Sequence, residues 1–430
     1  MGHRQTHFLS VTCGLRQWFA MKDDNGGTMM SNTKQPCSSK IRRGAASTVL
    51  TLVVVLGLGI VTTQSARAQT FTLLWSFAGD PGPGNPYAGL FQDTAGNLYG
   101  TTYGGGTSGA GTVFKVSKTV KDTVLYNFCA YNCTVGYFPY AGLIQDKAGN
   151  FYGTTAQGGT SGGGAVFKLS KSGQETVLYS FTGGTTDGCD PEGGLLRDTA
   201  GNLYGTTYAC GVSGYGTVFK LSPGKTWTET ILHNFAYSDG ANPYLTSLLM
   251  DAKGNLYGIT SKGGGGYGTV YKLSIKTEKF TLLYSFTGGT ADGCYSSGTP
   301  LMDTKGNLYG TSEGCGSSNL GIVWKLSKPG KETILHDFAG GTSDGANPYA
   351  GVIMDASGNL YGTTYAGGAS GLGTVYELKS KRTLTVLHSF ASSDGENPYA
   401  GVIRDKKGDF YGTTFTGGSG GYGTVWKLTP

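Results

Sequence analysis

The sequence predicts an all-β fold, a seven-bladed β-propeller with four antiparallel strands per blade, and three observations lead to it. The tetrapeptide Asn/Asp-Leu/Phe-Tyr-Gly recurs with its tyrosine at Tyr99, Tyr152, Tyr204, Tyr257, Tyr309, Tyr361 and Tyr411. Each copy, about 50 residues long, holds four short segments rich in Val, Leu, Thr, Tyr and Phe, separated by Gly, Asn, Asp and Ser, the composition of strands joined by turns. Glycine makes up 76 of the 430 residues, more than twice its usual share of about 7%. Sheets covered on both faces around a narrow axis need close backbone approach and left-handed turns, and glycine supplies both.

Labelled from the axis outward, strand a is typified by "AGLIQD", b by "GNLYGTT", c by "GTVFKLS" and d by "TVLYSF". Asp-x-x-Gly-Asn/Asp separates a from b and suits a type I turn followed by a left-handed glycine, so a and b form a hairpin. The first residue of that motif, Asp93, Asp146, Asp198, Asp251, Asp303, Asp355 or Asp405, is expected to cap the turn in preference to binding calcium, and Tyr204 and its equivalents to pack. The phase matters too. The first repeat strand, "FTLLWSF" at 71–77, is of type d, and the last, "GTVWKLTP" at 423–430, is of type c. The order is therefore d, six runs of a-b-c-d, then a-b-c, and the N-terminal strand must complete the last blade, closing the ring without an unpaired edge.

Residues 1–68 read as an export signal. Lys40, Arg42 and Arg43 precede the apolar run "AASTVLTLVVVLGLGIV", and Ala66-Arg67-Ala68 follows as a small-residue cleavage site, so the mature chain is expected to span 69–430 as one propeller. The region before the apolar run is long for a signal, and Met21, Met29 and Met30 offer alternative starts. An uncleaved anchor is the competing reading, although the run is short for a membrane span. The net charge of +6 resides entirely in this leader; from Gln69 onward 25 basic residues balance 25 acidic ones, which argues against a nucleic-acid partner.

The units "NPYAGVIMDASGNLYGTTYAGGASGLGTVYEL" at 347–378 and "SDGENPYAGVIRDKKGDFYGTTFTGGSGGYGTVWKL" at 393–428 resemble the GloVer-type tandem repeat of exported bacterial proteins and, more distantly, NHL-type propeller repeats. The resemblance implies export to the periplasm or beyond, with an anchoring device at one end; the sequence departs from this by ending on a strand of type c. It supplies no activity and no functional residues.

Chemistry must then come from the residues. His233, His336 and His388 share one aromatic position with Trp75, Tyr126, Tyr179 and Tyr284, which makes them packing residues and not a joint metal site. Lys115, Lys168, Lys220, Lys272, Lys325 and Lys427, with Glu377 in the seventh place, read as a solvated edge of strand c. No catalytic motif is present and no cofactor is expected. The d-a and b-c loops must emerge on one side of the ring, and they carry the candidate ligand-binding residues: Asn85, Tyr87, Asp239, Asn242, Tyr244, Asp344, Asn347, Tyr349, Asp394, Asn397 and Tyr399. Polar and aromatic groups around a central depression suit a carbohydrate. The competing reading of Asn-Pro-Tyr is a blade-entry turn. The favoured function is an exported, monomeric, non-catalytic binding or cell-surface protein with a glycan ligand; the alternatives are a propeller enzyme, a lyase or hydrolase on a polysaccharide or lactone, and a structural envelope protein.

Six cysteines remain after the leader. Residues facing each other across a hairpin have a nearly constant sum, and Cys189 with Cys210 centres on the turn Asp198 to Asn202, as Cys294 with Cys315 does on Asp303 to Asn307. Both pairs are expected to be disulfides tying a d-a loop to a b-c loop, with Cys129 and Cys133 as a more local third, as an oxidising compartment allows.

Overall fold

The computed structural model describes residues 69–129, 134–328 and 330–430, together with a separate two-stranded ribbon, Phe19–Lys22 paired antiparallel with Thr28–Ser31. Met21, Met29 and Met30 fall in that ribbon; the apolar run and the Ala66–Ala68 cleavage site lie outside the described residues. Among the described residues no helix is long and apolar enough to cross a membrane.

The repeats fold as seven four-stranded antiparallel sheets arranged as a propeller. Blade 1 spans 91–127, blade 2 144–180, blade 3 196–234, blade 4 249–285, blade 5 293–337 and blade 6 353–389, each in the order a-b-c-d. Blade 7 takes Ile403–Arg404, Phe410–Thr414 and Thr424–Thr429 from the end of the chain and Thr70–Ser76 from its beginning, with Phe71 opposite Leu428 and Trp75 opposite Val425. The closure expected from the phase of the repeat is present.

One aromatic pair recurs at every interface between blades. The phenylalanine ending each strand d (Phe77, Phe128, Phe181, Phe235, Phe286, Phe338, Phe390) is fully buried. It meets the central aromatic of strand c in the next blade, from Phe77 on Phe114 at 5.0 Å to Phe390 on Trp426 at 5.6 Å between ring centroids. Such tilted and edge-on pairs add to the burial of their area. The strand-b glycine makes room for the strand-c ring: a Cβ on Gly205 would come within 2.6 Å of Phe219.

Nearer the axis, a threonine of strand b donates its hydroxyl to a carbonyl at the entry of strand a in the following blade, as Thr101 does to Ala141 and Thr363 to Ala400, both at 2.8 Å. Blade 4 has Ile259 at this position and cannot make the bond. On the opposite face the seven a-b turns are built as expected: Asp93 accepts from the Ala95 and Asn97 amides, the Asn97 side chain and the Tyr99 hydroxyl. The strand-c lysines are not a freely solvated edge. Lys115, Lys272, Lys325 and Lys427 lie over the rings of Tyr99, Tyr257, Tyr309 and Tyr411, 5.4 to 5.9 Å from their centroids, because b and c pair these positions directly.

Cys189–Cys210 and Cys294–Cys315 are disulfides. Cys189 lies opposite Ala209 and Cys294 opposite Gly314, one residue from the register the constant-sum rule gives. Cys129 is also disulfide-bonded; position 133 is outside the described residues.

Candidate functional site

Each d-a loop enters its blade through one residue held in the left-handed region: Asn85, Phe138, Asp190, Asn242, Tyr295, Asn347 and Asn397, with φ between 51° and 58°. Asn tolerates that conformation better than most residues. Its side chain is also committed. The amides of Asn85, Asn242, Asn347 and Asn397 donate to Phe415, Tyr208, Glu313 and Tyr365, carbonyls at the end of strand b in the preceding blade. These asparagines stitch blades together.

The candidate aspartates lie toward the outer strand. Asp239 pairs with His233 at 3.0 Å, Asp344 with His336 at 3.1 Å and Asp394 with His388 at 3.1 Å. Each also caps a loop amide, of Ala236, Ala339 and Ala391 respectively. The histidines do pack, His233 against Phe280 and His388 against Phe71. Among the described residues no group of three or more His, Cys, Asp or Glu is placed to hold a metal ion.

Two residues beyond each left-handed position stand Tyr87, Tyr140, Glu192, Tyr244, Ser297, Tyr349 and Tyr399, one from every blade. Tyr87, Tyr140, Glu192, Tyr349 and Tyr399 line an axial cavity of about 310 Å³, whose deeper wall is the Gly-rich start of strand a. Four tyrosines form a continuous arc, with ring centroids 5.0 Å apart from Tyr140 to Tyr87, 4.6 Å from Tyr87 to Tyr399 and 4.9 Å from Tyr399 to Tyr349. Tyr103, Tyr365 and Phe415, from the ends of strand b, back this arc. All the tyrosines of the arc are half-buried.

Across from the arc, blades 3 to 5 give a different surface. Glu192 replaces the tyrosine, and Ser297 turns its hydroxyl to the Tyr349 carbonyl. Glu313 of blade 5 takes the place that Tyr103, Tyr208 and Tyr365 hold in other blades. One oxygen of Glu192, Oε2, is shielded from solvent and has no hydrogen-bond partner. Burial, reinforced by Asp190, pushes the Glu192 carboxyl up to about 8, and burial pushes Glu313 up to about 7. Tyr244 lies within electrostatic reach of both, and its hydroxyl is raised first by burial and then by Glu192. The mouth is thus an aromatic arc facing the carboxyl of Glu192, the one charged side chain in its lining.

Of the residues expected at the site, the structure brings Tyr87, Tyr349 and Tyr399 to the cavity, sets Tyr244 within electrostatic reach of Glu192, and places the Asn and Asp candidates in the scaffold around it. Tyr140, Glu192, Ser297 and Glu313 were not anticipated. Superposing the seven copies residue by residue would have found them, since Glu192 in "CDPEGG" occupies the place of Tyr in "NPYAG".

Two overlapping stretches, residues 54–267 and 244–430, match the model of the Gloeobacter/Verrucomicrobia repeat. The chain belongs to that family. In this member of the Gloeobacter/Verrucomicrobia repeat family the repeats build the blades of a propeller. No curated protein matches it at a significant level. Among solved structures, similar chains include a gluconolactonase from Xanthomonas campestris, at 12% identity and a TM-score of 0.41 over 84% of this chain and 89% of that one. Another is a candidate 6-phosphogluconolactonase from Bacteroides uniformis, at 16% identity and a TM-score of 0.49 over 71% and 85%. Nothing about activity follows from likenesses of this size.

Proposed function

We propose that this repeat protein is an exported binding protein that takes a carbohydrate into the axial mouth. The observation that carries the reading is the arc Tyr140, Tyr87, Tyr399 and Tyr349 on one side of a cavity with the Glu192 carboxyl on the other. Sugar rings have apolar C–H faces that stack on aromatic rings and hydroxyl edges that need hydrogen-bonding partners, and concave apolar sites with a few placed polar groups are the usual form of small-molecule sites. The two native disulfides found in the fold agree with an oxidising, exported location.

Titration calorimetry of purified chain against the sugars that score on a glycan array tests this. Tyr349→Ala, at the end of the arc, is expected to weaken binding by about tenfold, the loss of one stacking face, with little change in melting temperature. Unchanged affinity would place the ligand elsewhere.

A propeller enzyme is the second reading, and Glu192 favours it: a carboxyl held neutral near pH 7 in a cavity has the protonation state of a general acid. Under that reading Glu192→Gln would abolish turnover of a polysaccharide or lactone while sparing its binding.

A further inference from the structure

We infer that the axial mouth selects a saccharide carrying a free amino group, in preference to a neutral or anionic one. The inference rests on the carbohydrate reading and specifies its chemistry. The cavity lining holds, among the described residues, no Lys, Arg or His. Its one charged side chain is Glu192, with Asp190 acting on it electrostatically from outside the lining, and the shielded Oε2 of Glu192 lacks any donor from the protein. A neutral polyol is best met by a mixture of donors and acceptors. The lining offers one carboxyl and the hydroxyls of Tyr, Ser and Thr, with no basic or side-chain amide donor.

An ammonium group answers each of these features. It brings three donors and no acceptor, its charge stabilises the ionised carboxylate that burial otherwise disfavours, and the resulting charge-assisted hydrogen bond is about twice as strong as a neutral one. The tyrosine arc adds to the same preference, because π faces attract cations. A uronic acid brings a negative group that disfavours ionisation of Glu192 still further and forgoes the charge pair.

The position of Glu192 is fixed by the backbone rather than by a flexible loop. Asp190 holds the left-handed entry conformation at φ 56°, its amide donates to Gly163 and its carbonyl accepts from Tyr208, and Cys189 on its other side is in the disulfide with Cys210. The acid is presented by one of the d-a loops that a disulfide ties down.

The test is calorimetry of the oxidised chain with glucosamine, N-acetylglucosamine, glucuronate and ethanolamine as probes, repeated on Glu192→Gln and Glu313→Gln. Glucosamine is expected to bind at least about tenfold more tightly than its N-acetylated form, glucuronate not to bind, and Glu192→Gln to remove the difference. Glu313→Gln, which leaves Glu192 in place, is expected to reduce the difference and serves if Glu192→Gln fails to fold. Equal binding of glucosamine and N-acetylglucosamine, unaltered by either variant, overturns the inference and leaves the carbohydrate reading standing. Ethanolamine binding as tightly as glucosamine overturns the carbohydrate reading, and absence of binding by every probe overturns both.

Discussion

At the scale of single residues, the cysteines of blades 3 and 5 do more than cross-link. Cys210 and Cys315 have φ of 65° and 64°, and the equivalent residues in the other blades are Gly105, Gly158, Gly263, Gly367 and Gly417, all with positive φ. Two blades therefore place a side chain where five place none, and each disulfide holds a conformation that its cysteine would otherwise resist. Removing the bridge as Cys189→Ser/Cys210→Ser is expected to cost about 3 kcal/mol from the chain-entropy change of a 21-residue separation, while position 210 keeps the roughly 1 kcal/mol of backbone strain that the cysteine already carries. Cys189→Ser/Cys210→Gly should recover that last part, and denaturant titration of the two variants side by side would show it; equal stabilities would refute the strain. The residue scale is also where the sequence was least legible. The asparagines and aspartates of "SDGANPY" have the composition of a ligand site and equally of a turn, and only the structure shows that Asn347 and Asp344 spend their hydrogen bonds on the Glu313 carbonyl and on His336. Glu192, which with Ser297 breaks the tyrosine ring, announces itself as a departure from the repeat, and a reading built on regularity passes over it.

At the scale of elements, strands were legible and seams were not. The period and the turn chemistry locate every strand, because they are local properties of the chain. What strand d meets in the next blade is not local. Where strand d offers a tyrosine, the following blade answers with a carboxylate: Tyr179 donates to Glu229 at 3.3 Å, and Glu175 and Glu332 act on Tyr126 and Tyr284. Where it offers a histidine, as His233 and His388 do, a phenylalanine stacks on it. Glu175, Glu229 and Glu332 each have one shielded oxygen without a partner, and burial raises all three to about 7. A carboxyl raised on folding stabilises the native state at low pH and loses that contribution as pH rises through its folded value. These seams are therefore expected to weaken between about pH 5 and pH 8. The a-b turns act in the opposite sense at lower pH: burial alone would raise Asp93, but the hydrogen bonds from Asn97, Tyr99 and Ala95 hold it below the usual carboxylate range, so its contribution is lost only as strong acid protonates it. A thermal melt series should show the wild-type midpoint falling as the pH is raised across the first window. The triple variant Glu175→Gln/Glu229→Gln/Glu332→Gln should flatten that fall, and an unchanged slope would rule the seams out as its source.

At the scale of the whole molecule, the ring is held shut by one strand. Thr70–Ser76 contributes the outer edge of blade 7, and Phe77 is buried against Phe114 of blade 1. Deleting residues 69–78 should expose the edge of Thr424–Thr429 and open the Phe77 pocket, giving a chain that melts earlier and associates through the bare strand. Adding the missing segment as a peptide should reverse both changes in a sedimentation experiment, and a monomer with the wild-type midpoint would contradict the closure. This feature was fully legible, since it follows from counting which strand comes first and which comes last. It also sets the order of events in time. The first repeat strand to be synthesised is the last to be satisfied, because its partner, around Trp426, follows only after the other blades. Until then six blades can assemble but the circle cannot, and the contact that completes it spans nearly the entire repeat region, the kind of long-range pairing that is slow to form. A polypeptide built this way stays open while it is being made, and acquires its finished shape only once all of it has arrived in one place.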